Sequence, residues 1–114
     1  TSTTAEHLTE MMTQVCGTAA TLEDVSSRVP FYIAADSPAI QTLITTYNDV
    51  TGEGKTPFTM GGGTYARHLK EGVAYGMLFP GELELEHQAN ESIDVANFVK
   101  AARIYAYAIV ALCA

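Results

Sequence analysis

Apolar residues recur at steps of three and four positions in three stretches of the chain, which is the spacing of an amphipathic α-helix. The first stretch covers residues 4–16 and stops before Gly17. The second begins at Asp36-Ser37-Pro38, where a capping side chain precedes a proline, and ends near Gly52. The third covers residues 92–112. The pattern therefore predicts three helices.

Other stretches alternate in polarity or are rich in β-branched and aromatic residues, which favours strands. Three regions are predicted to be strands, the first of them holding one or two: residues 18–35, 55–60 and 72–79. A short helix is predicted over residues 65–70. These elements predict an α/β fold of the mixed α+β type. Because the composition shifts at the triple glycine, residues 1–60 and 61–114 are predicted to be separate subdomains.

The 114 residues are 47% hydrophobic, which suits one small globular core. The formal net charge of −7 opposes binding to phosphate backbones and anionic lipid surfaces, so no nucleic-acid partner is expected. Residues 104–114 are strongly apolar, but Lys100 and Arg103 shorten the run to about half of the ~20 residues that span a bilayer. A core helix is predicted there, and no membrane association.

The two cysteines, Cys16 and Cys113, lie near opposite ends of the chain on apolar helix faces. Such cysteines are typical of free thiols in a reducing compartment, so a cytoplasmic protein is expected. The first residues include neither an initiator methionine nor the basic and apolar regions of a signal peptide. We therefore expect the chain to be cut from a longer protein.

The triple glycine Gly61-Gly62-Gly63 allows close approach of its backbone N–H groups to a ligand, and an anion would suit such a loop. Thr64 and Arg67 follow directly, and a hydroxyl with a guanidinium can hold a carboxylate by directed hydrogen bonds. A tight turn with a solvated surface arginine explains the same residues without any ligand.

A lone histidine, His87, lies among carboxylates just before the last helix. Imidazole is a common zinc ligand, and Glu91 could accept from its second nitrogen as an outer partner. Taken by itself, an ordinary surface histidine is the more common case, because no second histidine stands at metal-binding spacing. The acidic run 82–86 is predicted to be a solvated loop. No serine or cysteine has the context of a nucleophile, so no catalytic residue is assigned.

Three segments in order carry a resemblance that is more specific than any one of them: residues 59–67 (TMGGGTYAR), residues 72–81 (GVAYGMLFPG) and residues 87–91 (HQANE). Together they resemble the carboxy-terminal portion of PepV-type dipeptidases. These enzymes belong to the co-catalytic zinc peptidases that include carnosinase, aminoacylase and succinyl-diaminopimelate desuccinylase. The similarity covers nearly the whole chain.

The resemblance implies that residues 1–60 are the end of a lid domain inserted into an α/β catalytic domain. Residues 61–114 would then hold the substrate loop and the last strand-helix piece of the catalytic domain. By the same match His87 is a metal ligand, with Glu91 in support. The substrate's carboxylate end would be held by four residues of the loop: Gly62, Gly63, Thr64 and Arg67.

The other zinc ligands and the general base of the family belong to an amino-terminal region that this sequence lacks. The complete enzyme would use two zinc ions and a metal-activated water to hydrolyse a dipeptide. This chain alone is expected to bind zinc weakly if at all and to be inactive. Its exposed apolar surfaces would favour a dimer or pairing with the missing amino-terminal part. Two alternatives stay open: a deacylase or desuccinylase of the same family, and a self-contained small-anion binding or interaction module without metal chemistry.

Overall fold

The structure is a computed structural model that describes residues 3–28 and 30–114. Thr1, Ser2 and Val29 lie outside the described residues, and so does the part of the predicted strand region 18–35 that falls on Val29. The chain divides into two compact units, one ending at Tyr32 and one comprising Ile33–Ala114. The predicted lid and catalytic parts, residues 1–60 and 61–114, stay a prediction.

The first unit contains one helix, α1, over Ala5–Cys16. The Thr4 hydroxyl caps it by accepting from the His7 N–H at 3.2 Å. Gly17 ends it with a positive φ of 53°, which glycine adopts without a steric penalty. The predicted apolar stripe is present but exposed, and consists of Leu8, Met11, Met12 and Val15.

The second unit contains two longer helices, α2 over Pro38–Thr51 and α3 over Val95–Cys113. A single 3₁₀ turn, Tyr65–His68, lies between them in sequence. Proline begins α2, where its missing N–H removes no helical hydrogen bond, and Gly52 ends it at φ 73°. The two helices pack against each other. The sequence pattern predicted all three helices and the short helical turn.

A small core lies between α2, α3 and the segment that precedes Pro80. Phe79, Ala101 and Ile104 form its buried centre, and the half-buried residues around it are Tyr47, Val50, Tyr75, Met77 and Tyr105. The Tyr105 hydroxyl donates to the Tyr75 carbonyl oxygen at 2.8 Å, which joins α3 to this segment. Helix α3 therefore supplies two of the three buried residues at the centre of this core.

The predicted α/β fold is wrong for the residues that the structure describes, because these contain helices and irregular backbone but no strand. Residues 73–79 nevertheless alternate in burial as extended backbone does, with Tyr75, Met77 and Phe79 turned toward the helices. A strand also requires a neighbouring backbone for its N–H and C=O groups. Alternation in the sequence reports which side chains are buried and carries no information on whether such a neighbour exists.

The acidic run is also more than a solvated loop, because Glu82 links two parts of the unit. Its carboxylate accepts from the Phe79 N–H and, through Oε1, from the Asn97 side-chain amide at 2.6 Å. Asn97 lies in the first turns of α3. The contact therefore secures the turn after Phe79 against the start of that helix.

Helix α3 is 19 residues long with a mean hydropathy of 1.4, so its length and composition would allow it to cross a membrane. Core helices of soluble proteins pass the same test. One side of α3 faces α2, but the opposite side is exposed and apolar. That side consists of Val95, Val99, Ala102, Ala106 and Val110. The predicted absence of a membrane partner stays a prediction.

Candidate functional site

The glycine loop leads directly into the 3₁₀ turn Tyr65–His68, and Thr64 is the N-cap residue of that turn. The Thr64 hydroxyl accepts from the Ala66 N–H at 3.2 Å, while its carbonyl oxygen accepts from the Arg67 N–H at 3.2 Å. Both contacts are local. The turn thus holds Thr64 and Arg67 in a fixed relation that does not depend on distant parts of the chain.

The Arg67 side chain folds back over Gly63. A methyl group placed at Gly63 would lie 2.6 Å from Arg67 Nη1 and 3.4 Å from Arg67 Cζ. At Gly62 it would make only an ordinary contact, 3.5 Å from Met60 Cε. The structure therefore brings together three of the four residues predicted to hold a carboxylate, with the guanidinium above the loop backbone.

The cluster presents several hydrogen-bond donors, which is the chemistry that an anion would require. Because the Thr64 hydroxyl is an acceptor in its cap, its own hydrogen stays available to donate. Arg67 is half-buried, and no carboxylate lies within 4 Å of it in the described part of the chain. Within the same residues the N–H groups of Gly61, Gly62 and Gly63 make no hydrogen bond. These donors are free to meet an external carboxylate.

His87 lies in a separate, exposed turn before α3, with a backbone φ of 61°. Asn90 in the same segment has a φ of 63°. Left-handed backbone costs a residue with a side chain roughly 1–2 kcal/mol, although asparagine and histidine tolerate it better than most. Such local strain is concentrated at functional sites.

The structure does not place His87 beside other potential ligands. Among residues 3–28 and 30–114, no three His, Cys, Asp or Glu side chains are grouped to hold a metal ion. Glu91 is exposed and forms no hydrogen bond with His87 in this part of the chain. Zinc needs three or four protein ligands, so the described residues do not by themselves fit a zinc site.

Sequence reasoning missed one polar cluster, in which Glu53 is the centre. The Tyr47 hydroxyl donates to Glu53 Oε2 at 2.8 Å, and Lys100 Nζ lies 3.3 Å from Glu53 Oε1. Lys100 also sits 4.1 Å above the centre of the Phe79 ring. Glu53 and Lys100 are far apart in sequence, so no local signal could have paired them.

This cluster changes the acidity of its members. Burial, followed by the hydrogen bond and the charge of Glu53, raises the pKa of Tyr47 to about 12. The hydrogen bond from Tyr47, with the nearby Lys100 ammonium, lowers the pKa of Glu53 below its usual value. The cluster therefore favours a protonated phenol beside an ionised carboxylate, which is a structural arrangement between α2 and α3.

Comparison with known protein families gives one match that covers nearly the whole chain. Residues 3–111 match the model of Peptidase family M20/M25/M40. The chain belongs to this peptidase family. Members of the M20 family are generally metal-dependent.

Relatives in three staphylococci carry the name "Putative dipeptidase". The protein from Staphylococcus epidermidis is 44% identical over 84 residues, which cover 74% of this chain and 18% of the relative. The Staphylococcus saprophyticus protein is 36% identical over 108 residues, 95% of this chain and 23% of the relative. The Staphylococcus aureus USA300 protein is 43% identical over 84 residues, with shares of 74% and 18%. No solved structure matches. The chain spans about a fifth of the length of these curated relatives.

Proposed function

We propose that this chain is the carboxy-terminal part of a metal-dependent dipeptidase of the M20 family and is inactive by itself. Family membership and the names of the staphylococcal relatives support the peptidase chemistry. The observation that carries the proposal is the Gly63, Thr64 and Arg67 cluster. It presents a guanidinium and a hydroxyl group within one short turn and the residue that caps it.

The cluster suits the free carboxylate of a dipeptide. A guanidinium and a hydroxyl donate charge-assisted hydrogen bonds to such a group, and these are roughly twice as strong as neutral ones. The unpaired N–H groups of the glycine loop add further donors. The role of the cluster in catalysis is therefore to orient the substrate by its terminal charge.

His87 contributes one imidazole nitrogen to the metal site in this proposal, and the remaining ligands come from the rest of the polypeptide. Its exposure is consistent with a ligand whose partners are absent from these 114 residues. The described residues by themselves form no complete metal site.

The test is His87→Gly in the complete polypeptide, since glycine accepts the left-handed backbone at φ 61° without strain. Zinc content, measured by atomic emission, and dipeptide hydrolysis should both be lost. Asn90→Gly is the matched control, because it makes the same backbone change at φ 63° in the same segment. A His87→Gly enzyme with wild-type zinc and activity would contradict the assignment.

The partner proposed for the exposed side of α3 is the amino-terminal remainder of the same protein. A helix that is apolar on two opposite sides normally has both sides covered, and the relatives are about four times as long as this chain. Val99, at 61% exposure, is a suitable probe of that side.

Val99→Glu should change the free energy of unfolding of the 114-residue chain by less than about 0.5 kcal/mol, because the side chain is exposed. In the complete polypeptide it should cost about 2 kcal/mol or more by burying a charge. Urea denaturation of both proteins measures the difference. If Val99→Glu changed the free energy of unfolding equally little in both proteins, the exposed side of α3 would be uncovered in the complete polypeptide as well. Loss of a dimer of the short chain, seen by sedimentation, would instead identify a second copy as the occupant.

A further inference from the structure

Among the glycines of the loop, Gly63 alone would place an added methyl group against the loop's cation. Such a methyl group would approach Arg67 Nη1 to 2.6 Å, a distance that real Cβ atoms do not show. At Gly61 it would meet nothing within 4 Å, and at Gly62 only Met60. The Arg67 guanidinium therefore occupies the space that a side chain at position 63 would need.

The backbone at Gly63 does not itself require glycine. The left-handed glycines are Gly17, Gly52, Gly54 and Gly81, and Gly63 is not one of them. An alanine therefore fits the main chain there, and Gly63 is exposed. The group that must move is the far end of the flexible Arg67 side chain, which costs little stability but displaces the charge.

We propose that Gly63 is a positioning residue, whose lack of a side chain lets the Arg67 guanidinium lie against the loop where it meets the substrate carboxylate. This inference rests on the proposed function of the cluster. The Thr64 cap and the Arg67 N–H bond to the Thr64 carbonyl set the distance between positions 63 and 67. A Cβ at position 63 thus acts on Arg67 directly.

Substrate discrimination reports this role better than activity alone. The measured quantity is the ratio of kcat/KM for a dipeptide to kcat/KM for the same dipeptide as its C-terminal amide. The two substrates differ in the charged group that Arg67 would bind. A change that merely weakens the fold lowers both values and leaves the ratio unchanged.

In the complete polypeptide, Arg67→Ala and Gly63→Ala should each lower the ratio about tenfold or more, the loss typical of a hydrogen bond to a charged group. Gly72→Ala is the matched control, because its methyl group would also collide with a side chain, 2.7 Å from Leu69 Cδ1, but not with Arg67. It should keep the wild-type ratio. The double variant Gly63→Ala with Arg67→Ala should match Arg67→Ala, since both changes act on one group.

The outcomes separate the two proposals. If Arg67→Ala lowers the ratio and Gly63→Ala leaves it within about twofold of wild type, the inference on Gly63 fails and the role of Arg67 stands. If Arg67→Ala keeps the ratio, the proposed carboxylate site fails and Gly63 with it. If Gly63→Ala does not fold, the double variant should fold, because the colliding side chain is gone. A double variant that also fails to fold would overturn the inference.

Discussion

Tyr47 shows how tertiary contacts change the chemistry of a single residue. Its hydroxyl donates to Glu53, and its ring stacks on Phe79 with the ring centres 6.3 Å apart. A phenolate here would be poorly hydrated, because the side chain is partly buried, and it would face the Glu53 carboxylate. The pKa of Tyr47 therefore rises from 10.0 to about 12.

This shift predicts a loss of stability at alkaline pH. Below pH 10 Tyr47 is protonated in both states, whereas between pH 10 and about 12 only the unfolded state loses the proton. The free energy of unfolding should therefore fall as the pH rises through this window. Urea midpoints at pH 8 and pH 11 should differ less for Tyr47→Phe than for the wild type. An equal drop in both proteins would show that other groups cause it.

Two further tyrosines also have a raised pKa. Burial raises the pKa of Tyr75 and of Tyr105, which pack with their ring centres 5.8 Å apart. Each hydroxyl donates to a backbone carbonyl oxygen, that of Leu43 for Tyr75 and that of Tyr75 for Tyr105. These residues explain why Tyr47→Phe should reduce the alkaline loss without abolishing it.

At the scale of the element, the two helices of the core are capped differently. Asp94 caps α3, and its Oδ1 accepts from the N–H groups of Ala96 at 2.8 Å and Asn97 at 3.1 Å. Ser37 stands at the same position before α2 but makes no capping hydrogen bond. Within the described residues its buried Oγ has no partner. A capping-type residue thus precedes both helices, but only Asp94 stabilises its helix by a capping hydrogen bond.

Asp94→Ala should lower the free energy of unfolding by about 1 kcal/mol, because two N–H groups lose their acceptor. Ser37→Ala should leave it unchanged or raise it slightly, since the buried hydroxyl gains nothing from its present site. Urea denaturation of both variants measures the pair. Equal losses would show that Ser37 does cap α2 in solution.

At the scale of the whole molecule, the described residues include only a small set of buried apolar side chains: Ile40, Phe79, Ala101, Ile104 and Ala108. Three of them lie on one side of α3, and the other side of that helix is equally apolar but exposed. A small domain with so small a core has little stability to spare. This imbalance is the reason for proposing that the rest of a longer polypeptide covers the exposed side of α3.

The two isoleucines of α3 test the imbalance. Ile104 is 3% exposed and Ile109 is 61% exposed. Ile104→Ala should cost about 2–5 kcal/mol, enough to unfold much of the population, because it leaves a cavity. Ile109→Ala should change stability by about 0.5 kcal/mol or less. Circular dichroism during thermal unfolding compares them, and similar losses would mean that α3 is turned differently in solution.

The sequence alone was sufficient to predict the three helices and to indicate the family. Periodicity, capping residues and the glycines at positions 17 and 52 are local signals, and a helix satisfies its backbone within itself, so α1, α2 and α3 were predictable. The ordered segments at residues 59–67, 72–81 and 87–91 were sufficient to indicate the peptidase family that the comparison confirms.

Only the tertiary structure decided the rest, because strands and polar clusters depend on neighbours that are remote in sequence. Residues 72–79 alternate as a strand would, yet no backbone pairs with them in the described part of the chain. The fold brought Lys100 to Glu53. The position of the Arg67 guanidinium over Gly63 is local in sequence, but it depends on the conformation of the arginine side chain. These contacts arise from the folded path of the chain and of a flexible side chain, which residue spacing does not specify.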